Sequence, residues 1–221
     1  MAKLLNDGMS SQVHISNSNR HVRLCKQTKG TEVLVDAMTP KISTLKEKYA
    51  ATLGQKENRD AAYDSLVFND AVLDDQIRST SDIAKQYDRE NPGRPVHKLL
   101  FPDGGYTSVL RSSYAKKANT AEEIIERIKS LGEEHPLASQ IIHLTESIAK
   151  VRSSITALQQ ANTNVRTAIA NEEVAQANLR QQYEFNYLDA IKMFGKTFAN
   201  RLFPQTVSKK KIEEDVTIID A

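Results

Sequence analysis

The longest stretch of this sequence without a helix-breaking residue follows Pro136 and reaches Leu202, with Gly195 as its one interruption. Glycine and proline are the residues least compatible with a helix interior, so their absence is typical of a long helix. At a rise of about 1.5 Å per residue, a single helix of this length would span roughly 100 Å. The alternative is a turn at residues 159–164 (QQANTN) that folds the segment back as a hairpin. The apolar phase carries through this turn-like sequence, which favours the continuous helix.

The first half of the stretch carries apolar residues at a seven-residue repeat, which is typical of a coiled-coil seam. The seam consists of Ile141, Leu144, Ile148, Val151, Ile155, Leu158, Asn162, Val165 and Ile169. A buried amide in such a seam fixes register or partner number at a cost in stability, and Asn162 is predicted to be buried in that role. After Ile169 a wider, more aromatic stripe predicts packing into a globular bundle.

Two further helices are predicted before this stretch. Residues 31–53 form the first, with a kink or restart at Pro40 and an end at Gly54. Residues 56–90 form the second, in which one apolar stripe lies among many aspartates. The stripe consists of Ala62, Leu66, Leu73, Ile77, Ala84 and Tyr87. An intramolecular pairing of this stripe with the seam would leave a monomer, and the pattern leaves that alternative open.

The remaining segments are less regular. Residues 93–118 are basic and contain a turn signal at residues 102–105 (PDGG), and a further helix is expected from Asn119 to about Gly132. In residues 12–26, apolar and polar residues alternate around an SNSN sequence, which indicates a hairpin or an extended N-terminal arm. The tail at residues 205–221 is expected to be disordered, or alternatively to add as a strand to a partner's sheet.

Composition excludes several classes of protein. The 221 residues carry a net charge of +2, which makes general attraction to nucleic acid or anionic lipid a poor expectation. The single cysteine, Cys25, excludes an internal disulfide framework and any multi-cysteine metal site. No apolar run is long enough for a membrane span, and the N-terminus has no secretory h-region. A cytoplasmic protein is expected, with export independent of a signal peptide left open.

Charge is distributed unevenly along the chain. Residues 31–92 have four more acidic than basic side chains, whereas residues 1–30 and 93–118 each have four more basic than acidic ones. The simplest interpretation is that the basic segments lie against the acidic helices of the same chain. The alternative is that they meet an acidic patch on a neighbouring copy.

No catalytic, cofactor or metal-binding constellation is recognised. The sequence lacks a Walker-type loop and a Glu-x-x-His motif, and its five histidines have no metal-ligand spacing. Asp70, Asp74 and Asp75 lack the spacing of a calcium loop and are predicted to form a solvated face. Cys25 is expected to be an incidental or buried thiol.

One cluster remains as a candidate anion site in the basic segment. Its members are Arg94, His97 and Arg111, and guanidinium and imidazole groups together are suited to phosphate or carboxylate. The competing interpretation is that these residues cap the loop and form ion pairs.

We therefore predict an all-α protein: an elongated antiparallel bundle of about four main helices with a long coiled-coil-like C-terminal helix. A small β element formed by the termini is an additional expectation. The predicted organisation is an N-terminal arm (1–30), a helical bundle (31–204) and a C-terminal tail (205–221). The expected function is non-enzymatic: self-assembly or scaffolding of a partner protein, with no cofactor, nucleic acid or membrane. The alternative is an anion- or small-molecule-binding bundle, conceivably an enzyme, that uses residues 94–114.

Overall fold

The computed structural model describes residue 2 and residues 4–205, and every regular element in this part of the chain is helical. The elements are α1 (Ser11–Cys25), α2 (Glu32–Glu90), α3 (Val96–Leu100), α4 (Tyr106–Leu110), α5 (Tyr114–Lys129) and α6 (Gln140–Ala199), with 3-10 turns at Pro136–Ser139 and Asn200–Leu202. The prediction of an all-α bundle is confirmed. The expected β element is reduced to one antiparallel bridge between Ala2 and Gln205, and the rest of the predicted tail lies outside the described residues.

The chain forms two compact units, each with its own apolar core. Among the described residues, unit 1 consists of residues 2, 4–52 and 168–205, and unit 2 consists of residues 53–167. The helices α2 and α6 each contribute one part to unit 1 and another to unit 2, so both units are built mainly from these two helices.

Unit 1 adds α1 to its parts of α2 and α6. Its buried core consists of Leu5, Cys25, Leu34, Met38, Ile42, Leu45, Ala175, Leu179, Tyr183, Ala190, Ala199, Leu202 and Phe203. The prediction of an extended arm or hairpin at the N-terminus is wrong, because residues 11–25 form α1, capped by the Ser10 hydroxyl. The buried face of this helix recurs at three- and four-residue spacings but is mostly polar, so a search for apolar periodicity passes over it. That face consists of Ser11, His14, Ser18, His21 and Cys25.

Unit 2 combines its parts of α2 and α6 with α5 and closes with the short helices α3 and α4. The parts of α2 and α6 are antiparallel: the Tyr87 and His135 ring centroids are 4.5 Å apart, and Asn69 donates to the Ser154 hydroxyl at 2.9 Å. The buried core consists of Leu66, Leu73, Ile77, Ala84, Val96, Leu100, Phe101, Val109, Ala118, Ala121, Ile124, Ile125, Ile128, Leu137, Leu144, Ile148 and Val151. The predicted stripe of the second helix is therefore part of the core, with Ala62 and Tyr87 half-buried at its ends.

The two helices predicted at residues 31–53 and 56–90 are one helix in the structure. Gly54 does not end it, and Pro40 lies inside it on the exposed side. A single interior glycine costs a helix only about 1 kcal/mol, which packing of the flanking turns outweighs. Pro40 forfeits one backbone hydrogen bond on a surface where water reaches the released carbonyl.

Gly54→Ala is expected to raise the free energy of unfolding by up to about 1 kcal/mol. Gly54 is helical, and a Cβ added there meets no atom within 4 Å, so the alanine gains helix propensity without a clash. Urea denaturation of the two proteins measures the difference. Gly195→Ala is the opposite control: its φ of 75° strains an L-residue, and a loss of stability is expected there.

The helix α6 continues through residues 159–164, so the hairpin alternative is wrong and the long-helix prediction is confirmed. Its helical geometry is interrupted at Gly195 (φ 75°, ψ 159°), the glycine recognised in the sequence. The helix α5 begins at Tyr114, earlier than the predicted Asn119, and Gly132 follows its end with φ 96°.

Candidate interaction site

The predicted seam of α6 lies largely inside the protein. Leu144, Ile148 and Val151 belong to the core of unit 2 together with residues of α2 and α5, and Ile141, Ile155 and Leu158 pack against that core. Val165 is also buried. These side chains are covered by their own chain, so their burial does not require a partner.

The buried positions of α6 share one of the two predicted heptad sets, the one that contains Leu144 and Val151, and differ from the prediction in the other. One buried or half-buried set falls seven apart at Leu144, Val151, Leu158, Val165, Glu172, Leu179 and Asn186, and the second at Ser147, Ser154, Ala161, Ala168, Ala175 and Gln182. The residues of the second set are small or polar. A prediction based on hydropathy alone therefore places the neighbouring isoleucines at the inward positions instead. The expectation that Asn162 is buried is wrong for this chain: Asn162 and Ile169 are exposed, and Ala161 occupies the inward position.

A buried polar network connects α1, α2, α6 and the 3-10 turn at Asn200–Leu202 in unit 1. The His21 Nδ1 lies 2.7 Å from the Leu202 carbonyl and must donate to it, which leaves Nε2 as an acceptor for the Asn186 amide at 3.0 Å. The same amide nitrogen donates to the Leu34 carbonyl at 2.8 Å, and Gln182 donates to the Asn186 oxygen at 3.0 Å. Burial lowers the pKa of His21 to about 4, so the imidazole is neutral at neutral pH. Sequence analysis missed this network because its members are far apart in the sequence.

His21 and Cys25 lie close together, but they lack the properties of a catalytic pair. The Cys25 sulfur is 3.6 Å from His21 Nδ1, and burial raises the pKa of the thiol to about 12. A nucleophilic cysteine requires a lowered pKa and access to substrate. Cys25 is fully buried, so the expectation of a buried thiol is confirmed.

A second buried polar cluster lies in unit 2. The Lys117 ammonium, whose side chain is 3% exposed, lies 2.8 Å from Asp70 Oδ2 and 2.6 Å from Asp74 Oδ1. Burial by itself lowers the pKa of Lys117, but the two carboxylates outweigh that effect and raise it. The predicted solvated face is therefore wrong for Asp70 and Asp74, which hold an internal cation, and correct for the exposed Asp75. The contact joins the basic segment to the acidic helix within one chain, as the simplest interpretation of the charge pattern predicts.

The three residues of the predicted anion site have different surroundings. His97 Nε2 lies 3.1 Å from the Ser81 hydroxyl, and the ring stacks at a tilt against Phe101. Burial, followed by the charge of Lys85, lowers the pKa of His97. Arg94 and Arg111 are exposed, Arg94 before α3 and Arg111 at the end of α4. A shared anion site for the three side chains stays a prediction.

Arg94 does line a groove of about 400 Å³ in unit 2. The groove is lined by side chains from α2, α3, the turn between these two helices and the turn that follows α5. These are Tyr87, Arg94, Pro95, Val96, Leu99, Leu131 and His135. Most of these side chains are apolar, and the guanidinium supplies a positive charge. We call this feature the Arg94 groove.

One face of α2 in unit 2 exposes apolar side chains among acidic ones, and we call it the α2 face. Spacings of three and four residues place Asp60, Asp64, Phe68, Ala71 and Asp75 along it, all exposed. Phe68 is 69% exposed. The exposed apolar members are Tyr63, Val67, Phe68 and Ala71. Sequence analysis overlooked this face because it recorded the aspartates of the helix without the aromatic side chain between them.

No group of three or more His, Cys, Asp or Glu side chains suited to a metal ion occurs among the described residues. Within the same part of the chain, no helix combines the length and the apolar character that crossing a bilayer requires.

Comparison with known proteins gives no match to a family model, to a curated protein or to a solved structure.

Proposed function

We propose that this chain is a non-enzymatic interaction protein that self-assembles or scaffolds a partner protein through an exposed face of its long helices. The observation that carries the proposal is the α2 face. Aromatic and branched apolar side chains clustered on the surface and bordered by charged ones are typical of protein–protein interfaces. The α2 face has this composition, and it lies on a packed helix that fixes the spacing of these residues along the surface.

The chemistry of the polar clusters supports a non-enzymatic role. His21 and Lys117 are buried and have partners inside the protein. Buried polar groups that are paired with one another in this way stabilise a unique arrangement of helices rather than transform a substrate.

A second candidate is the anion- or small-molecule-binding bundle, and the Arg94 groove favours it. An apolar groove with one guanidinium is suited to a ligand that has an apolar body and a carboxylate. The ligand would then be bound by Arg94 and the apolar lining, without the predicted contribution of His97 or Arg111.

Phe68→Ser is expected to lower the molar mass that the protein reaches at high concentration, because it removes the largest exposed apolar group of the α2 face. Light scattering across a concentration series, at low and high salt, measures the mass. The matched control is Ile142→Ser, since Ile142 is 64% exposed in the same unit but is followed one turn later by the polar Thr145 and Glu146.

An equal decrease in molar mass in both variants would indicate nonspecific hydrophobic association and contradict the proposal for self-assembly through the α2 face. A wild-type chain that stays monomeric throughout would confine the proposal to scaffolding of a different protein. Capture of that protein should then depend on Phe68 and not on Ile142.

A further inference from the structure

Phe68 and Asp64 together form a projecting apolar group with an unpaired acid beside it. They are four residues apart on α2 and therefore neighbours on its surface. Asp60 and Asp75 have ion pairs with Arg59 and Arg78, whereas Asp64 has no ion pair among the described residues. The exposed phenyl ring and the neighbouring carboxylate together resemble a ligand that has an apolar body and an acidic group, held on a helix.

The Arg94 groove has the complementary chemistry. Its volume of about 400 Å³ exceeds the roughly 150 Å³ of a cavity that accepts benzene, so a phenyl ring fits within it. Arg94 has no ion pair among the described residues, and its guanidinium can bind a carboxylate through two hydrogen bonds. Leu99, which is 47% exposed, leaves apolar surface at the groove open to a partner.

We infer that the Arg94 groove receives Phe68 of a second copy of this chain, with Asp64 of that copy bound to Arg94. This inference rests on the proposed interaction function and names the partner of the α2 face. A second copy is the occupant because the chain itself carries a ring and an acid that match the groove in size and charge. The basic segment of one copy thereby meets the acidic helix of the next.

The contact joins two different surfaces, and each copy carries one of each. Two copies that exchange both contacts close into an isologous dimer, whereas contacts made in one direction only produce rings or open chains of copies. In both arrangements, association requires one projecting Phe68 and one groove on different copies.

Two single variants separate the surfaces. Phe68→Glu disables the projecting group and keeps the groove, whereas Leu99→Glu places a charge in the groove and keeps the projecting group. Both positions are exposed, so far-UV circular dichroism should show an unchanged helical fold. Each variant alone is expected to be monomeric by light scattering. An equimolar mixture is expected to give a dimer of twice the monomer mass, because one intact surface of each kind remains.

Charge exchange tests the contact of Asp64 with Arg94. Asp64→Arg and Arg94→Asp are each expected to weaken association about tenfold, equivalent to about 1.4 kcal/mol. The double variant with both changes in one chain is expected to recover most of that loss, since the pair is restored with its charges reversed. High salt should weaken wild-type association in the same direction.

Three results would overturn the inference in distinguishable ways. If the Leu99→Glu protein assembles by itself while the Phe68→Glu protein is monomeric, the interaction function would stand, but the Arg94 groove would not be the surface that binds Phe68. A mixture that stays monomeric would exclude the contact between Phe68 of one copy and the Arg94 groove of another. The third result is a wild-type chain that stays monomeric and is stabilised against heat by hexanoate. If Arg94→Ala abolishes this stabilisation and Arg111→Ala preserves it, the groove is a binding site for a small carboxylate.

Discussion

Lys117→Met is expected to lower the free energy of unfolding by about 3–5 kcal/mol, because it leaves Asp70 and Asp74 without their cation. The Lys117 ammonium lies 2.8 Å from one carboxylate and 2.6 Å from the other, and all three side chains are shielded from solvent. Methionine retains the length and apolar stem of lysine, so the loss reports charge rather than a cavity. Urea denaturation followed by circular dichroism at neutral pH measures it.

Two comparisons isolate the buried charge as the cause. Lys116→Met removes an exposed lysine from the preceding position, and a change within about 0.5 kcal/mol is expected. Adding Asp70→Asn and Asp74→Asn to Lys117→Met should recover much of the stability, since the uncompensated charges are gone. A small loss in Lys117→Met, equal to that of Lys116→Met, would mean that water already screens the cluster.

Acidification from pH 7 to pH 5 is expected to lower the free energy of unfolding by about 2 kcal/mol through His21 alone. Burial lowers the pKa of His21 to about 4 from its ordinary value of 6.5. The unfolded chain therefore binds a proton as the pH falls below 6.5, whereas the folded chain resists it until about pH 4. Stability attributable to His21 is full above pH 6.5 and is lost progressively between pH 6.5 and pH 4.

The His21 contribution is measured as a difference in pH dependence. His21→Gln should be less stable than the wild type at pH 7, because its amide cannot reproduce both contacts and the stacking of the ring 4.0 Å from Phe203. Its decline from pH 7 to pH 5 should be flatter by about 2 kcal/mol. His143→Gln, at an exposed position, serves as the control for the loss of a histidine as such. Parallel slopes for all three proteins would contradict the assignment to His21.

The parts of the fold that the sequence predicts are those in which apolar side chains recur at helical spacing. The stripe from Leu66 to Ala84 and the continuity of α6 through residues 159–164 are both of this kind. The helix α1 was not predicted, because its buried face consists mainly of serine and histidine, whose burial depends on hydrogen-bond partners elsewhere. In α6 the sequence predicts Asn162 as the inward residue, whereas Ala161 takes that position in the structure. Alanine is only weakly hydrophobic, so the sequence pattern does not mark it as buried.

The candidate sites differ in the same way. Lys117 and Asp70 are 47 positions apart, and His21 and Leu202 are 181 apart, so no local motif links either pair. The charge pattern nevertheless predicts that the basic segment at residues 93–118 lies against an acidic helix of the same chain. The contact of Lys117 with Asp70 is of this kind. Phe68 is visible in the sequence, but its exposure follows only from the packing of α2. The interaction function itself stays a proposal.

The discontinuity of unit 1 has a consequence for the order of folding. Unit 2 occupies one contiguous stretch of the chain, whereas unit 1 takes segments from both ends. The hydrogen bond between His21 and Leu202 closes a loop of 181 positions, and entropy makes such closures slow and dependent on prior structure. On the ribosome, unit 2 has all of its residues before residues 168–205 are synthesised. We therefore expect unit 2 to form first and α1 to wait, with its polar face hydrated, until residues 168–205 have been synthesised.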